Sequence, residues 1–179
     1  MASDESGPFS RIPWCRAIID DPGFKATTAR IQKYPRHNPF WFEVVRKDLA
    51  VRAHCLLYRT PHDTIAESEM ETRELIDFGF EVIGQRGICH GGFLATIVDE
   101  AAGAFLRVYE LDNSRDPRTA YLNITYKKVV TAPGIVLVTT KFLSKDGRKM
   151  RLEVVFKDAQ GDTCLVAEIL YSTRRPGAL

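Results

Sequence analysis

The chain has 179 residues and a mass of 20.2 kDa, which fits one domain with room for a short appendage. Its 45% hydrophobic and 27% charged content excludes disordered and fibrous proteins, and its 25 basic and 23 acidic residues are too balanced for a dedicated nucleic-acid binder. No stretch approaches the roughly 18 apolar residues that would span a membrane, and the polar N-terminus lacks a targeting pattern, so we expect a cytoplasmic protein.

The first third of the chain is rich in proline and offers only short apolar segments. Six of the nine prolines precede residue 62, a density that permits short helices and irregular coil but no long element. We predict that residues 1–60 are an N-terminal extension packed on a main domain of residues 61–175, with a tail at 176–179. The cluster Phe40-Trp41-Phe42 is either an anchor onto the core or a lid over an apolar ligand, and its proline-rich setting favours the anchor.

The pattern of apolar and polar residues becomes regular after residue 62. Residues 64–74 combine a capping-box pattern with alternating charged side chains, so helix and strand both stay open there. Residues 84–87 predict a loop. The strongest helix signal runs from Gly91 to Tyr109, where apolar residues cover most of the circumference and indicate a central helix buried on several sides.

The sequence after a polar break at residues 112–117 is typical of strands. Short glycine-containing turns separate four segments that alternate and are rich in β-branched and aromatic residues, at 119–130, 135–143, 150–157 and 163–173. They predict an antiparallel meander. One helix that is apolar nearly all round, followed by a meander, indicates an α+β fold in which the sheet curls around the helix.

The cysteines carry no pattern of a disulfide framework or a metal site. They are widely spaced, at positions 15, 55, 89 and 164, whereas zinc sites use close pairs. Two of them adjoin a histidine, but adjacent side chains on a strand point apart. We therefore expect small buried cysteines, no metal ion and no cofactor.

Two acids stand side by side inside the apolar helix, Asp99 and Glu100. Burying a carboxylate without a partner is costly, so a core helix rarely contains one without a reason. The two side chains point about 100° apart. Either they lie on an exposed seam or pair with a base such as Arg107, or one of them has a functional role.

The start of the same helix has the features of an oxyanion site. His90-Gly91-Gly92 falls where first-turn N–H groups have no intrahelical acceptor. Two glycines let a substrate oxygen approach the backbone, and the helix dipole favours negative charge there. His90 lies at the rim, able to donate a hydrogen bond to a leaving group.

The stretch GICHGGFLATIVDEAAGA resembles the hotdog-fold thioesterases of the PaaI and acyl-CoA thioesterase type. The later stretches TAYLNITYKKVV, PGIVLV, DGRK and GDTCLVAEI match the same family in order. Their sequences look closest to the fungal branch of that family. The resemblance covers roughly residues 75–174. It implies a long antiparallel sheet around one helix, and homodimers or dimers of dimers joined through edge strands, with active sites at the interface.

The resemblance also implies roles for individual residues. The Gly91 N–H would polarise the thioester carbonyl, while His90 would lie near the thioester sulfur. Asp99, reaching in from the other subunit, would be the general base or the nucleophile, with Glu100 as second choice. Thr119 would orient the attacking water. Since a thioester is already activated, a positioned water, a base and an oxyanion donor suffice for its hydrolysis.

Substrate-binding residues are expected at two places. Around the helix start these are Gly92 and Phe93, together with Gly84 and Gln85; some relatives carry an oxyanion-binding Asn where this chain has Gly84, so Gln85 or a backbone N–H would substitute. Six basic residues are candidates for holding the phosphates of coenzyme A or of a carrier: Lys127, Lys128, Lys145, Arg148, Lys149 and Arg151. The turn at 145–149 is otherwise simply solvated.

These observations together predict an acyl thioesterase acting on an acyl-CoA or acyl-carrier thioester in fatty-acid or polyketide metabolism. Two alternatives stay open. A hotdog hydratase or dehydratase would move a proton beside the carbonyl and retain the thioester. A non-catalytic relative would bind an acyl chain or a partner in a biosynthetic complex.

Overall fold

An antiparallel sheet and one long helix dominate the computed structural model, which describes residues 7–27, 40–45, 50–60, 66–111 and 117–173. The helices are α1 (Pro13–Ile19) and α2 (Gly91–Val108), with 3-10 turns at Phe9–Arg11 and Glu67–Glu69 and a π-helical turn at Phe40–Val45. The strands are β1 (Phe24–Ala26), β2 (Val51–Arg59), β3 (Glu71–Phe78), β4 (Ile83–Gln85), β5 (Ile88–Cys89), β6 (Arg118–Tyr126), β7 (Gly134–Asp146), β8 (Lys149–Lys157) and β9 (Thr163–Ser172).

Seven of these strands form one sheet in the order β1-β2-β3-β7-β8-β9-β6, and every pairing is antiparallel. The predicted α+β architecture is confirmed, and so are the four predicted strands after α2. The predicted meander holds only for β7, β8 and β9. β6 pairs with β9 instead of β7, because the chain after β6 crosses to the β4–β5 hairpin: the Val130 carbonyl accepts from the Cys89 N–H, and the Ala132 N–H donates to the Gly87 carbonyl. β7 then pairs with β3.

The helix α2 supplies the centre of the core, as its composition predicts. Its apolar side packs on the sheet, and the side chains that it buries are Leu94, Ile97, Val98, Ala101, Ala102, Ala104, Phe105 and Leu106. Several of these are alanines, which let the sheet approach the helix backbone closely. The observed limits, Gly91 to Val108, fall within one residue of the predicted ones.

The sheet extends across the predicted boundary between residues 60 and 61. β1 and β2 precede it, yet both belong to the sheet, and β2 pairs with β3 along almost its whole length. The described residues before β1 pack on the sheet as an added layer: Phe9 and Cys15 form a second apolar cluster with Phe24 of β1, against β2 and β3. The predicted tail at 176–179 lies outside the described residues, and so do residues 64 and 65 of the ambiguous segment, whose later part is strand β3.

The aromatic segment at Phe40–Val45 is attached to the core through Trp41. The Trp41 side chain is fully buried, and its ring lies edge-on to that of His54, with centroids 5.4 Å apart. His54 in turn contacts Glu74 at 2.6 Å, and both side chains are buried. This contact is what the anchor interpretation predicts for Trp41; the Phe42 side chain lies outside the described residues.

A small hairpin positions the start of α2. β4 and β5 are joined by Arg86 and Gly87, whose φ angles of 44° and 75° are those of a type I′ turn. The predicted loop at 84–87 is therefore partly strand. The hairpin is tied to the segment after β6, since the Ala132 N–H donates to the Gly87 carbonyl at 2.9 Å. The Cys89 N–H likewise donates to the Val130 carbonyl at 2.8 Å.

Candidate active site

His90 caps the N-terminus of α2 with its own ring. Its backbone is extended, with φ −63° and ψ 128°, and its Nδ1 accepts the Gly92 N–H at 3.1 Å. Its main-chain N–H donates to the Val82 carbonyl at 2.8 Å. The ring and the main chain of His90 are each held by a hydrogen bond, and the residue is exposed. Here the first-turn N–H groups, including that of Gly91, lack acceptors within the helix.

Two glycines make room for the His90 ring. A Cβ at position 84 would lie 3.1 Å from both Cα and Cδ2 of His90, and a Cβ at position 92 would lie 3.0 Å from its Cε1. A larger side chain at either position would displace the imidazole. Gly84 thus leaves space for the His90 ring and has no side-chain donor, and Gln85 lies exposed beside it on β4.

Asp99 and Thr119 are brought together across twenty residues of sequence. The Thr119 hydroxyl, on the edge strand β6, donates to Asp99 Oδ1 at 2.7 Å. Thr119 is exposed and Asp99 is half-buried, so the carboxylate faces solvent beside a hydroxyl. The arrangement is suited to holding a water molecule between a base and a second polar group.

Tyr171 contacts the main chain of Asp99. It is buried on β9, opposite Thr119 in the strand pairing, and its hydroxyl donates to the Asp99 main-chain carbonyl at 3.2 Å. Burial raises the pKa of Tyr171 far above its usual value, and the nearby Asp99 charge raises it further, against the opposing effect of a hydrogen bond with Thr119. The phenol therefore stays protonated and acts as a fixed donor at neutral pH.

The two halves of the predicted site do not meet within one chain. Gly91 and Asp99 are eight residues apart on one helix, which corresponds to about 12 Å along its axis. A thioester carbonyl that accepts from the Gly91 N–H is therefore out of reach of a water held by Asp99 of the same chain.

The basic turn lies at the far end of α2. Lys145 and Arg148 line a cavity of about 280 Å³ together with Glu110 and Leu111, just beyond the C-terminus of the helix. Arg148 also donates to the Thr173 carbonyl at 2.8 Å, and Lys149 is exposed. The helix is about 27 Å long, so the turn is remote from His90 of the same chain.

The remaining predicted substrate residue, Phe93, packs partly into the core. Its ring meets that of Phe78 edge-on, with centroids 5.6 Å apart. Sequence reasoning missed Tyr126, whose hydroxyl contacts the first turn of α2. Its signal is present in the sequence, because Leu122, Ile124 and Tyr126 alternate along the helix-facing side of β6.

Among the described residues no cluster of three or more His, Cys, Asp or Glu side chains is placed to bind a metal ion. All four cysteines are buried and reduced. Burial raises the pKa of Cys89 to about 12, so this thiol beside His90 is not a nucleophile at neutral pH. In the same part of the chain, no helix has the length and apolarity that crossing a membrane requires.

A comparison with known families agrees with this geometry. Residues 86–165, from the β4–β5 turn to the middle of the sheet, match the model of the thioesterase superfamily. This part of the chain is therefore similar to that superfamily, and the sheet and helix have the hotdog fold of solved thioesterase structures.

Two curated proteins are similar in sequence to part of this chain. The acyl-coenzyme A thioesterase THEM4 of Mus musculus is 34% identical over 82 residues, which are 46% of this chain and 34% of THEM4. The uncharacterized mitochondrial membrane protein FMP10 of Saccharomyces cerevisiae is 30% identical over 99 residues, which are 55% of this chain and 41% of FMP10. The chain thus spans about two fifths or less of the curated relatives that it matches.

Solved structures share the fold at low sequence identity. A hypothetical thioesterase from Streptococcus pneumoniae, crystallised with coenzyme A, superposes with a TM-score of 0.56 at 14% identity, covering 70% of this chain and 88% of that one. The E. coli PaaI protein of the phenylacetic acid degradation operon superposes with a TM-score of 0.50 at 13% identity, covering 60% and 77%.

Proposed function

We propose that the protein hydrolyses acyl thioesters, with Asp99 as general base and the Gly91 N–H as oxyanion donor. The observation that carries the proposal is the hydrogen bond of 2.7 Å between Thr119 and Asp99. Asp99 lies on the helix that opens with His90-Gly91-Gly92. This hydrogen bond places a carboxylate beside a hydroxyl at a position that solvent can reach. The match of residues 86–165 to the thioesterase superfamily supports the reaction class.

In the proposed reaction Asp99 takes a proton from a water molecule that Thr119 helps to hold. The water oxygen bonds to the thioester carbon, and the carbonyl electron pair moves to oxygen, where the Gly91 N–H and the helix dipole stabilise it. Collapse of this intermediate breaks the carbon–sulfur bond. The thiolate leaves beside His90 and recovers the proton, so that a carboxylic acid and a thiol are released.

We propose further that each site is built from two copies of the chain. The separation of about 12 Å between Gly91 and Asp99 requires a second copy if both act on one carbonyl. β6, which carries Thr119, is an edge strand of the described sheet. An unpaired edge of this kind is suited to strand pairing with a second copy.

The proposed substrates are acyl-CoA thioesters. The similar mouse protein is an acyl-coenzyme A thioesterase, and the similar streptococcal structure contains coenzyme A. The role of Lys145, Arg148 and Lys149 in binding the phosphates stays a prediction, because they are remote from His90 of their own chain. In a two-copy site the relevant distance is to the partner's helix start.

The decisive experiment is hydrolysis of a panel of acyl-CoAs, measured as released thiol. We expect Asp99→Asn to reduce kcat at least about 100-fold, the usual effect of removing a general base. Glu100→Gln, which neutralises the neighbouring acid on the same helix, should lose far less. Equal activity of Asp99→Asn and the unaltered protein would remove Asp99 from the role of base, and a product that retains the thioester would indicate a hydratase.

A matched pair at position 91 tests the oxyanion donor. Gly91→Pro removes the N–H at the first helical position, where proline is well tolerated, and the extended backbone of His90 is compatible with a following proline. Gly91→Ala keeps the N–H, and its Cβ would meet Tyr126 at an ordinary 3.6 Å. We expect Gly91→Pro to lower kcat about 100- to 1,000-fold, and Gly91→Ala to lower it much less.

Mixing the two inactive variants tests the shared site. A dimer of one Asp99→Asn chain and one Gly91→Pro chain has one site with both lesions and one with none. Random mixing should therefore restore about a quarter of the normal activity. Mixtures as inactive as their parents would show that each site lies within one chain.

A further inference from the structure

Tyr126 is the last residue of β6 and lies against the first turn of α2. Its hydroxyl donates to the Gly91 carbonyl at 2.8 Å, and its ring lies 3.6 Å from where a Cβ of residue 91 would be. The strand holds the residue firmly, because the next two N–H groups along the chain both donate to the Cys164 carbonyl. The catalytic sequence proposed above does not involve this phenol.

The Gly91 carbonyl and the Gly92 N–H are the two ends of one peptide group. At one end the carbonyl accepts from Tyr126, and at the other the N–H donates to His90 Nδ1 at 3.1 Å. A hydrogen bond to a peptide oxygen polarises the group and strengthens its N–H as a donor. Tyr126 therefore acts on His90 through a single, rigid amide plane.

The consequence for His90 concerns the position of its proton. A neutral imidazole has one N–H, and a nitrogen that accepts a hydrogen bond cannot be the one that carries it. Because Nδ1 accepts the Gly92 N–H, the proton belongs on Nε2. In that tautomer His90 can donate toward the leaving sulfur.

We propose that Tyr126 is a positioning residue that keeps His90 in the Nε2–H tautomer by fixing the Gly91–Gly92 peptide. The inference rests on the proposed thioesterase reaction for its catalytic meaning, but the tautomer itself is a property of the free protein. About half of Tyr126 is exposed, but its hydroxyl points to the helix and its ring covers Gly91.

The test begins with nitrogen NMR of histidine-labelled protein at about pH 8, where a neutral imidazole shows its tautomer directly. The His90 signal is assigned by its loss in His90→Gln. We expect the Nε2–H pattern in the unaltered protein, and a larger share of the Nδ1–H form in Tyr126→Phe. An Nδ1–H pattern in the unaltered protein would overturn the proposal without any variant.

Kinetics supply the second measurement. Tyr126→Phe should lower kcat about two- to tenfold, the rate equivalent of one neutral hydrogen bond, with little change in KM. The matched control is Tyr121→Phe, because Tyr121 is on the same strand and is also exposed, but its hydroxyl donates to Glu168 on the other face of the sheet. We expect the control to retain both the spectrum and kcat.

The outcomes are separable from those of the proposed function. If the protein shows no hydrolysis but the spectra change as expected, the reaction is wrong while the positioning of His90 by Tyr126 stands. If Tyr126→Phe keeps the spectrum and kcat of the unaltered protein, Tyr126 has no positioning role, whatever the reaction. Equal effects of Tyr121→Phe would point to general damage to β6 and would also refute the proposal.

Discussion

Replacement of Thr119 by valine offers a sharp test of the candidate site, because it removes one hydroxyl and keeps the shape of the side chain. The hydroxyl donates to Asp99 at 2.7 Å, a length typical of a hydrogen bond to a charged acceptor. Such bonds contribute about 1.5–3 kcal/mol, and exposure of Thr119 places this one at the lower end. A loss of about 1.5 kcal/mol in the transition state corresponds to roughly a tenfold lower kcat.

The assay is thiol release from a good acyl-CoA substrate, with kcat and KM measured separately. Thr125→Val is the matched control, since Thr125 is exposed on the same strand and lies on the face opposite to its neighbour Tyr126. Thr119→Ser, which restores a hydroxyl, should recover most of the lost rate. The control should differ from the unaltered protein by less than about twofold.

Combining Thr119→Val with Asp99→Asn shows whether the two residues act as a unit. If Thr119 works by holding the water beside the Asp99 carboxylate, its removal should matter little once that carboxylate is gone. Fully additive effects would refute the reasoning, and so would a Thr119→Val enzyme with unchanged kcat.

Two further predictions concern stability. Glu74→Ala should lower the free energy of unfolding by about 1–3 kcal/mol, because it removes the hydrogen-bond partner of the buried His54 ring, whereas replacing both residues by apolar ones of similar size should lose less; urea unfolding measures both. At Glu71, burial raises the pKa, but hydrogen bonds from Arg73 and Arg59 outweigh it and hold the pKa below its usual value. The stability that Glu71 contributes is therefore complete above its unfolded pKa of about 4.3 and is lost as the pH falls further, so the difference from Glu71→Gln should shrink below about pH 4.

The long helix and the strands that follow it could be predicted because each has a local pattern. The apolar positions of α2 repeat with the helical period, and β6 to β9 alternate between turns that contain glycine. The His90-Gly91-Gly92 motif could be interpreted in the same way, since a helix start exposes N–H groups whatever the rest of the chain does.

β2 was predicted as part of an extension because its sequence lacks such a pattern. It is covered on one face by the main core and on the other by the segment that contains Phe9 and Cys15. Most of its side chains are therefore buried whichever way they point, and the alternation that marks a half-exposed strand does not arise. β3, whose segment was left open between helix and strand, is buried on both faces in the same way.

The sequence by itself determined the reaction chemistry that is conceivable here: an acid within an apolar helix, two glycines at its start, and a histidine before them. The tertiary structure alone decided which groups meet, because pairing of β6 with β9 is what brings Thr119 to Asp99 and Tyr126 to Gly91. Those contacts join residues 20 and 35 positions apart, and no local periodicity encodes such partners. The length of α2 likewise separates Gly91 from Asp99, a geometric fact that composition and motif cannot express.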